Sequence, residues 1–232
     1  MIPRGFRHGR VGVAQTGGRR VAVAGATGLV GKAIVEGLLA DGRVAAVHTL
    51  GRRPSKVRHA KLTSHVVDFA ALPKLPALDE VYLALGTTIK VAGSKAAFRA
   101  IDFEANLAVA RLALEAGARR CGLVSAMGAS PTSRVFYSRV KGELEEALAS
   151  LPFEGIVLAR PSLLVGERSE LGQPKRFGEK FGQVIGHLLR PLIPANYKPV
   201  AANDVARTLL VRVQTAVGRI TILSGEIQAK HG

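Results

Sequence analysis

From Arg20 onward, short β-branched runs alternate with longer stretches whose apolar residues recur at helical spacing. Strands are predicted at Arg20 to Gly25 (RVAVAG), Ala45 to Leu50, Ser64 to Val67, Glu80 to Leu85, Cys121 to Ser125, Gly155 to Arg160 and Arg219 to Ser224. One helix is predicted from about Gly28 to Asp41, with Val30, Ile34 and Leu38 on one face and Gly42 as its stop. A longer one runs from about Lys95 to Ala116 and closes at Gly117. This alternation predicts an α/β fold, a Rossmann-type doubly wound parallel sheet covered on both faces. The rhythm breaks from Ser162 to Pro199, where Gly and Pro scatter through ELGQPKRFGEKFGQVIGHLLRPLIP, so a small C-terminal substrate lobe is expected at about 162–200. The chain has no internal repeat.

Composition adds a bound on partners. The chain has 232 residues, 47% of them hydrophobic, and a formal net charge of +16. That length and apolar content predict a soluble globular protein. Part of the excess charge sits in the first twenty residues, where Arg4, Arg7, Arg10, Arg19 and Arg20 meet no acid, and residues 1–19 are expected to form a basic disordered tail. The tail lacks an apolar run, which argues against a secretory signal and leaves an Arg-rich leader or a mis-assigned start codon open. No stretch reaches the roughly twenty apolar residues that span a bilayer. A basic surface attracts any polyanion. However, 5% aromatic content without Trp, and no interleaving of aromatic with basic residues, argue against specific nucleic-acid binding.

Cys121 is the only cysteine, so no internal disulfide forms and a cytoplasmic home is expected. It lies in the apolar run CGLVS, where a buried inert thiol is the expectation. The six His residues form no HxxxH or HxH pair, and no metal is expected.

The chemistry starts at VAVAGATGLVGKAIV, where Gly25, Gly28 and Gly31 follow a predicted strand and open a helix. Glycines so placed permit a tight turn, close approach of the backbone to a pyrophosphate and close helix packing, and the helix N-terminus favours phosphate. Thr27, Leu29 and Val30 complete this candidate cradle. The alternative is a tight βα turn alone. After the second strand, where NAD-binding folds carry an acid, the chain has Arg52 and Arg53. Guanidinium groups match a 2′-phosphate bidentately, so NADP(H) is preferred over NAD(H), against the alternative that both merely solvate a strand end. Asp68, with Phe69 beside it, is placed at the adenine or as a loop cap. Leu85, Gly86, Thr87 and Thr88 follow the fourth strand and belong beside the same crevice.

Tyr137 and Lys141, four apart in FYSRVKGELEEAL, share a helix face. A nearby lysine cation favours a phenolate, so the pair can exchange a proton with a carbonyl or alcohol oxygen at neutral pH. Ser125 ends the fifth strand, twelve residues before Tyr137, and is the candidate donor to a substrate carbonyl. Singly, each has a plainer reading: strand cap, packing residue, solvated lysine. Their order downstream of a dinucleotide cradle favours catalysis.

GATGLVG, then GRR, then Ser125 with YSRVK resemble the short-chain dehydrogenase/reductase superfamily, in the atypical extended group of Tat-interacting-protein-like oxidoreductases. The resemblance runs from about Val21 to the last strand and also rests on LGTTIK, RPSLLVGERSE and YKPVAANDVARTLL. It implies a single NAD(P)-binding Rossmann domain over 20–232, with Ser125, Tyr137 and Lys141 catalytic. It also implies that Arg160 and Pro161, with Leu163 and Leu164 following, stand beside the nicotinamide. One departure is Asp102, where many extended members carry Asn; it puts the usual helix-bound water and proton relay in question, although the branch that the chain resembles accepts Asp there. The function expected is an NADP(H)-dependent oxidoreductase acting on a carbonyl or alcohol of a partly apolar small molecule. VIGHLLRPLIP would form a pocket wall or lid, with His187 a helix residue. Alternatives are an NADP(H)-binding regulator, an epimerase or dehydratase, nonspecific nucleic-acid contact through the tail, and peripheral membrane contact through Lys175, Arg176, Lys180 and Arg190. The sequence leaves the oligomeric state open.

Overall fold

The computed structural model describes residues 17–165 and 195–229. The chain opens with β1 (Arg19–Ala24), α1 (Leu29–Ala40), β2 (Val44–Gly51), β3 (Leu62–Val66) and β4 (Glu80–Leu83). After two short helices, α2 (Ile89–Ala92) and α3 (Lys95–Arg99), a π-helical segment (Ala100–Ala105) leads into α4 (Asn106–Glu115). Then come β5 (Arg120–Val124), α5 (Phe136–Ala149), β6 (Gly155–Arg160) and a small parallel pair, β7 (Leu164–Val165) and β8 (Val200–Ala201). The described chain ends with α6 (Ala202–Val213), β9 (Gly218–Leu223) and α7 (Ser224–Ala229).

Seven strands form one parallel sheet in the order β3-β2-β1-β4-β5-β6-β9. All seven predicted strands are present, within two residues at each end. Both faces of the centre are covered, which is why Val21, Ala22, Val23 and Ala24 are all buried and the strand reads as a continuous apolar run. On one face Ile34 and Leu38 of α1 pack with Val205 and Leu209 of α6. On the other, Val109 and Ala113 of α4 pack with Leu144 and Leu148 of α5. Burial of these side chains supplies the main stabilisation, about 1.5–3 kcal/mol each when complete.

The long helix predicted from Lys95 to Ala116 is interrupted by the π-helical turn. Such a turn adds a residue to the helical repeat, and apolar periodicity carries no mark of it. The chain closes at Gly117 as expected, with φ +96. Arg19 belongs to β1 rather than to the tail, because its guanidinium is anchored on Glu80 and Asp41. Residues 1–16 of the expected tail, and residues 166–194 of the expected lobe with its apolar segment, its basic residues and His187, lie outside the described residues.

Among the described residues, no helix is long and apolar enough to cross a membrane. Cys121 is buried, and burial pushes its thiol well up from the ordinary value, the character of a packing residue.

Candidate functional site

Strand order reverses at β1, which has β2 on one side and β4 on the other. A crevice opens at such a point beyond the carboxyl ends of the strands. The loop leaving β1 turns at Gly25 with φ +84, in the left-handed region, and a Cβ there would stand 2.4 Å from the Ala84 carbonyl oxygen. At Gly31 a Cβ would stand 2.1 Å from the Gly25 carbonyl oxygen. No side chain larger than hydrogen is accommodated at either position, so α1 is pressed against the turn and β1 against the loop after β4. Gly28 caps α1 without a side-chain hydrogen bond, and Thr27 beside it is exposed. Leu29 is half-buried against the core and Val30 is buried in it. The uncapped first turn has unpaired N–H groups and a positive dipole end to offer a phosphate. These residues fit a dinucleotide.

Arg52 and Arg53 are exposed just past the end of β2. Asp68 is exposed, and its Oδ1 accepts from the Ala70 N–H at 3.0 Å, a loop cap. Phe69 is half-buried against the core. In the loop after β4, Gly86 is exposed, while the Thr88 hydroxyl accepts from the Val91 N–H at 3.2 Å and caps α2.

Below that loop lies a buried polar cluster. Lys141 Nζ, from α5, stands 2.8 Å from Asp102 Oδ1, with side-chain exposures of 5% and 0%. Asp102 Oδ2 accepts from the Thr87 N–H at 2.9 Å. Burial is the largest influence on the Asp102 carboxyl and raises it above its ordinary value, with Lys141 and Thr87 opposing. Asn106 Nδ2 donates to the carbonyls of Leu85, Ile101 and Asp102, stitching the π-turn to the loop after β4. The π-turn thereby presents Asp102 to Lys141 and moves its backbone carbonyls onto a side-chain donor. A Cβ on Gly86 would stand 3.6 Å from Asp102 Oδ1 and 3.9 Å from Lys141 Nζ, so the ion pair lies directly under this exposed glycine.

Tyr137, one turn before Lys141, is half-buried with its ring 5.5 Å from that of Phe98. Its hydroxyl has no hydrogen bond among the described residues. Gly142, next to Lys141, admits the loop at Ser130 and Pro131 against α5, where a Cβ would come within 2.2 Å of Ser130 backbone.

Ser125 is buried at the end of β5, and its Oγ donates to Glu145 Oε1 at 2.5 Å. Glu145 is buried on α5, one turn beyond Lys141, and Arg160 grips it bidentately, Nε on Oε1 at 3.0 Å and Nη2 on Oε2 at 2.5 Å. Glu145 holds the Arg160 guanidinium above its ordinary value through that hydrogen-bonded contact. Pro161 is buried and Leu163 is 58% exposed. A serine has one proton, and this one is directed at a carboxylate.

The sheet therefore brings the glycine cradle, Gly86, Tyr137, Lys141, Ser125 and Arg160 to one edge. Asp68 and Thr88 are occupied by local caps. Glu145 and Asn106 are additions that the sequence reading did not single out, although both lie one helical turn beyond a residue that it named. His48 and His65, distant in sequence, pair across β2 and β3 with Nδ1 and Nε2 3.1 Å apart. Among the described residues, no group of three metal-ligating side chains stands together.

Residues 21–181 match the profile of the NAD dependent epimerase/dehydratase family. The chain is 36% identical over 215 residues to "Protein FMP52, mitochondrial" of Coccidioides immitis, covering 86% of each chain. To the Candida albicans protein of the same name it is 32% identical, covering 90% of this chain and 91% of that one. Among solved structures, MoeE5 in complex with UDP-glucose and NAD superposes with a TM-score of 0.65 at 18% identity, covering 88% of this chain and 76% of that one. The names of the relatives overturn the cytoplasmic expectation, since both are mitochondrial. A lone cysteine excludes an internal disulfide but does not distinguish one reducing compartment from another.

Proposed function

Because the chain belongs to the NAD dependent epimerase/dehydratase family, we propose that it is an NADP(H)-dependent oxidoreductase that reduces a carbonyl or oxidises an alcohol of a partly apolar small molecule. The observation that carries this reading is the position of Tyr137 and Lys141 on one helix face at the strand edge that also holds the glycine cradle. The nicotinamide supplies or accepts the hydride when bound. Tyr137, whose hydroxyl is unengaged among the described residues, passes the proton to or from the substrate oxygen, and buried Lys141, paired with Asp102, stands one turn away on the same helix. Ser125 steadies that oxygen once its hydroxyl turns from Glu145. Gly25, Thr27, Gly28, Leu29, Val30 and Gly31 would cradle the pyrophosphate, and Leu85, Gly86, Thr87, Arg160, Pro161 and Leu163 would hold the nicotinamide half. Arg52 and Arg53 take the 2′-phosphate, both exposed and without an acid to repel it.

A second reading, a dinucleotide-binding regulator without turnover, is favoured by one observation: the only Ser125 proton is committed to Glu145. The two readings share the cofactor and differ in consumption of it. Titration by reduced-nicotinamide fluorescence should show NADPH bound more tightly than NADH, with the preference lost in Arg52→Ala/Arg53→Ala. Equal binding of the two nucleotides by the wild type would remove the NADP(H) assignment. Consumption of NADPH with a carbonyl panel, abolished in Tyr137→Phe, would decide for turnover over sensing.

A further inference from the structure

The protein carries a formal charge of +16, yet the two cations at this strand edge are individually matched: Lys141 by Asp102, Arg160 by Glu145. We propose that Asp102 is a specificity-determining residue for the redox form of the cofactor, cancelling the Lys141 charge so that the site retains the oxidised, positively charged nicotinamide as well as the neutral reduced one. This rests on the dinucleotide reading above. The oxidised and reduced forms share phosphates, riboses and adenine, and differ chiefly by the unit charge on the nicotinamide ring. The ratio of their dissociation constants therefore reports the electrostatic potential at the ring.

The structure supports the argument at three points. The contact is direct, 2.8 Å, and both side chains are shielded from water, so solvent screens the charge of either one poorly. A carboxylate and an ammonium in contact together carry no net charge. The pair also lies under Gly86, an exposed glycine of the loop after β4 at the strand-order reversal, whose missing side chain leaves the backbone open to a ligand. Asp102 does not reach this position by chance of packing. The π-turn orients it, Asn106 clamps that turn to the Leu85 carbonyl, and the Thr87 N–H fixes its second oxygen. With Asn in its place, Lys141 would be an uncompensated buried cation beneath Gly86.

The test measures binding alone. Dissociation constants of NADP+, NADPH, NAD+ and NADH are determined by calorimetry for the wild type, Asp102→Asn and Asp102→Asn/Lys141→Met. Asn keeps the size of Asp and an acceptor for the Thr87 N–H, and circular dichroism verifies that each variant is folded. Asp102→Asn should weaken the oxidised form relative to the reduced form by about three- to tenfold. The double variant, again without net charge at the pair, should return the ratio to within about twofold of the wild type, since truncating the Lys141 ammonium acts on the riboses and phosphates of both forms alike. A ratio unchanged in Asp102→Asn, or a shift that persists in the double variant, overturns this inference while leaving the cofactor reading intact. Failure of the wild type to bind any of the four nucleotides overturns both.

Discussion

Two buried charge clusters occupy opposite edges of the same sheet, and they differ in how completely they are satisfied. At the amino edge, Arg19 Nη1 donates to both carboxylate oxygens of Glu80, at 2.9 and 2.8 Å, and its Nη2 donates to Asp41 at 2.7 Å. The Tyr82 hydroxyl donates to Glu80 at 3.0 Å, and Arg43 closes on Asp41. At the carboxyl edge, neither Asn106 Oδ1 nor the Tyr137 hydroxyl has a partner among the described residues. Saturated polar groups add to the fold, because leaving any one unpaired would be expensive. Unsaturated ones keep capacity for a ligand, which is the character of a site rather than of a structural staple. Residue types do not separate the clusters, since both combine a basic group, an acid and a tyrosine.

The contrast predicts different responses to mutation. The largest effect on stability belongs to the amino edge. Glu80→Ala strands the partly buried Arg19 guanidinium and the buried Tyr82 hydroxyl, and should lower the unfolding free energy in urea by about 3 kcal/mol. Dinucleotide affinity of the folded fraction should stay unchanged. A loss of nucleotide binding by folded Glu80→Ala would blur the division between the edges.

Acidification should produce a smaller effect, centred on the β2–β3 margin. His48 is held below its ordinary value of 6.5, first by burial and then by neighbouring His65. A group depressed in this way refuses a proton that the unfolded chain accepts, so its neutral form costs nothing above about pH 6.5 and stability falls as the pH drops below it. The urea midpoint should therefore decline between about pH 7.5 and about pH 5.5, and His48→Gln should flatten that slope. The smallest effect on stability is expected at the carboxyl edge. Tyr137→Phe removes a hydroxyl without a partner among the described residues and keeps the ring against Phe98, so the unfolding free energy should move by less than about 0.5 kcal/mol while turnover collapses.

The fold was legible because a parallel sheet writes itself in apolar runs: VAVA and EVYL are buried along their length and admit few other readings. The glycine turn was legible too, since only glycine satisfies a left-handed turn at Gly25 and a 2.1 Å approach at Gly31. Side-chain partnerships were harder to read. Glu145 follows Tyr137 and Lys141 at four-residue steps in YSRVKGELE, a visible signal, but its partners Ser125 and Arg160 come from two strands that only the folded sheet makes neighbours. Asp102 was legible as a departure from the family pattern. Its direct contact with Lys141 depends on the π-turn, which leaves no trace in hydrophobic spacing. Histidine spacing showed no local pair, and His48 meets His65 only across the β2–β3 ladder.

The central claim is that the carboxyl edge at β1 is a dinucleotide site, and Gly31→Ala tests it most directly. The added methyl would collide with the Gly25 carbonyl oxygen and displace the turn proposed to cradle phosphate. Titration with NADPH and NADH, monitored by the fluorescence of the reduced nicotinamide, should show saturable binding by the wild type and its loss in a Gly31→Ala protein whose circular dichroism remains native. Equal binding by both proteins, or no binding by the wild type, would contradict the account and leave the glycine turn as architecture alone.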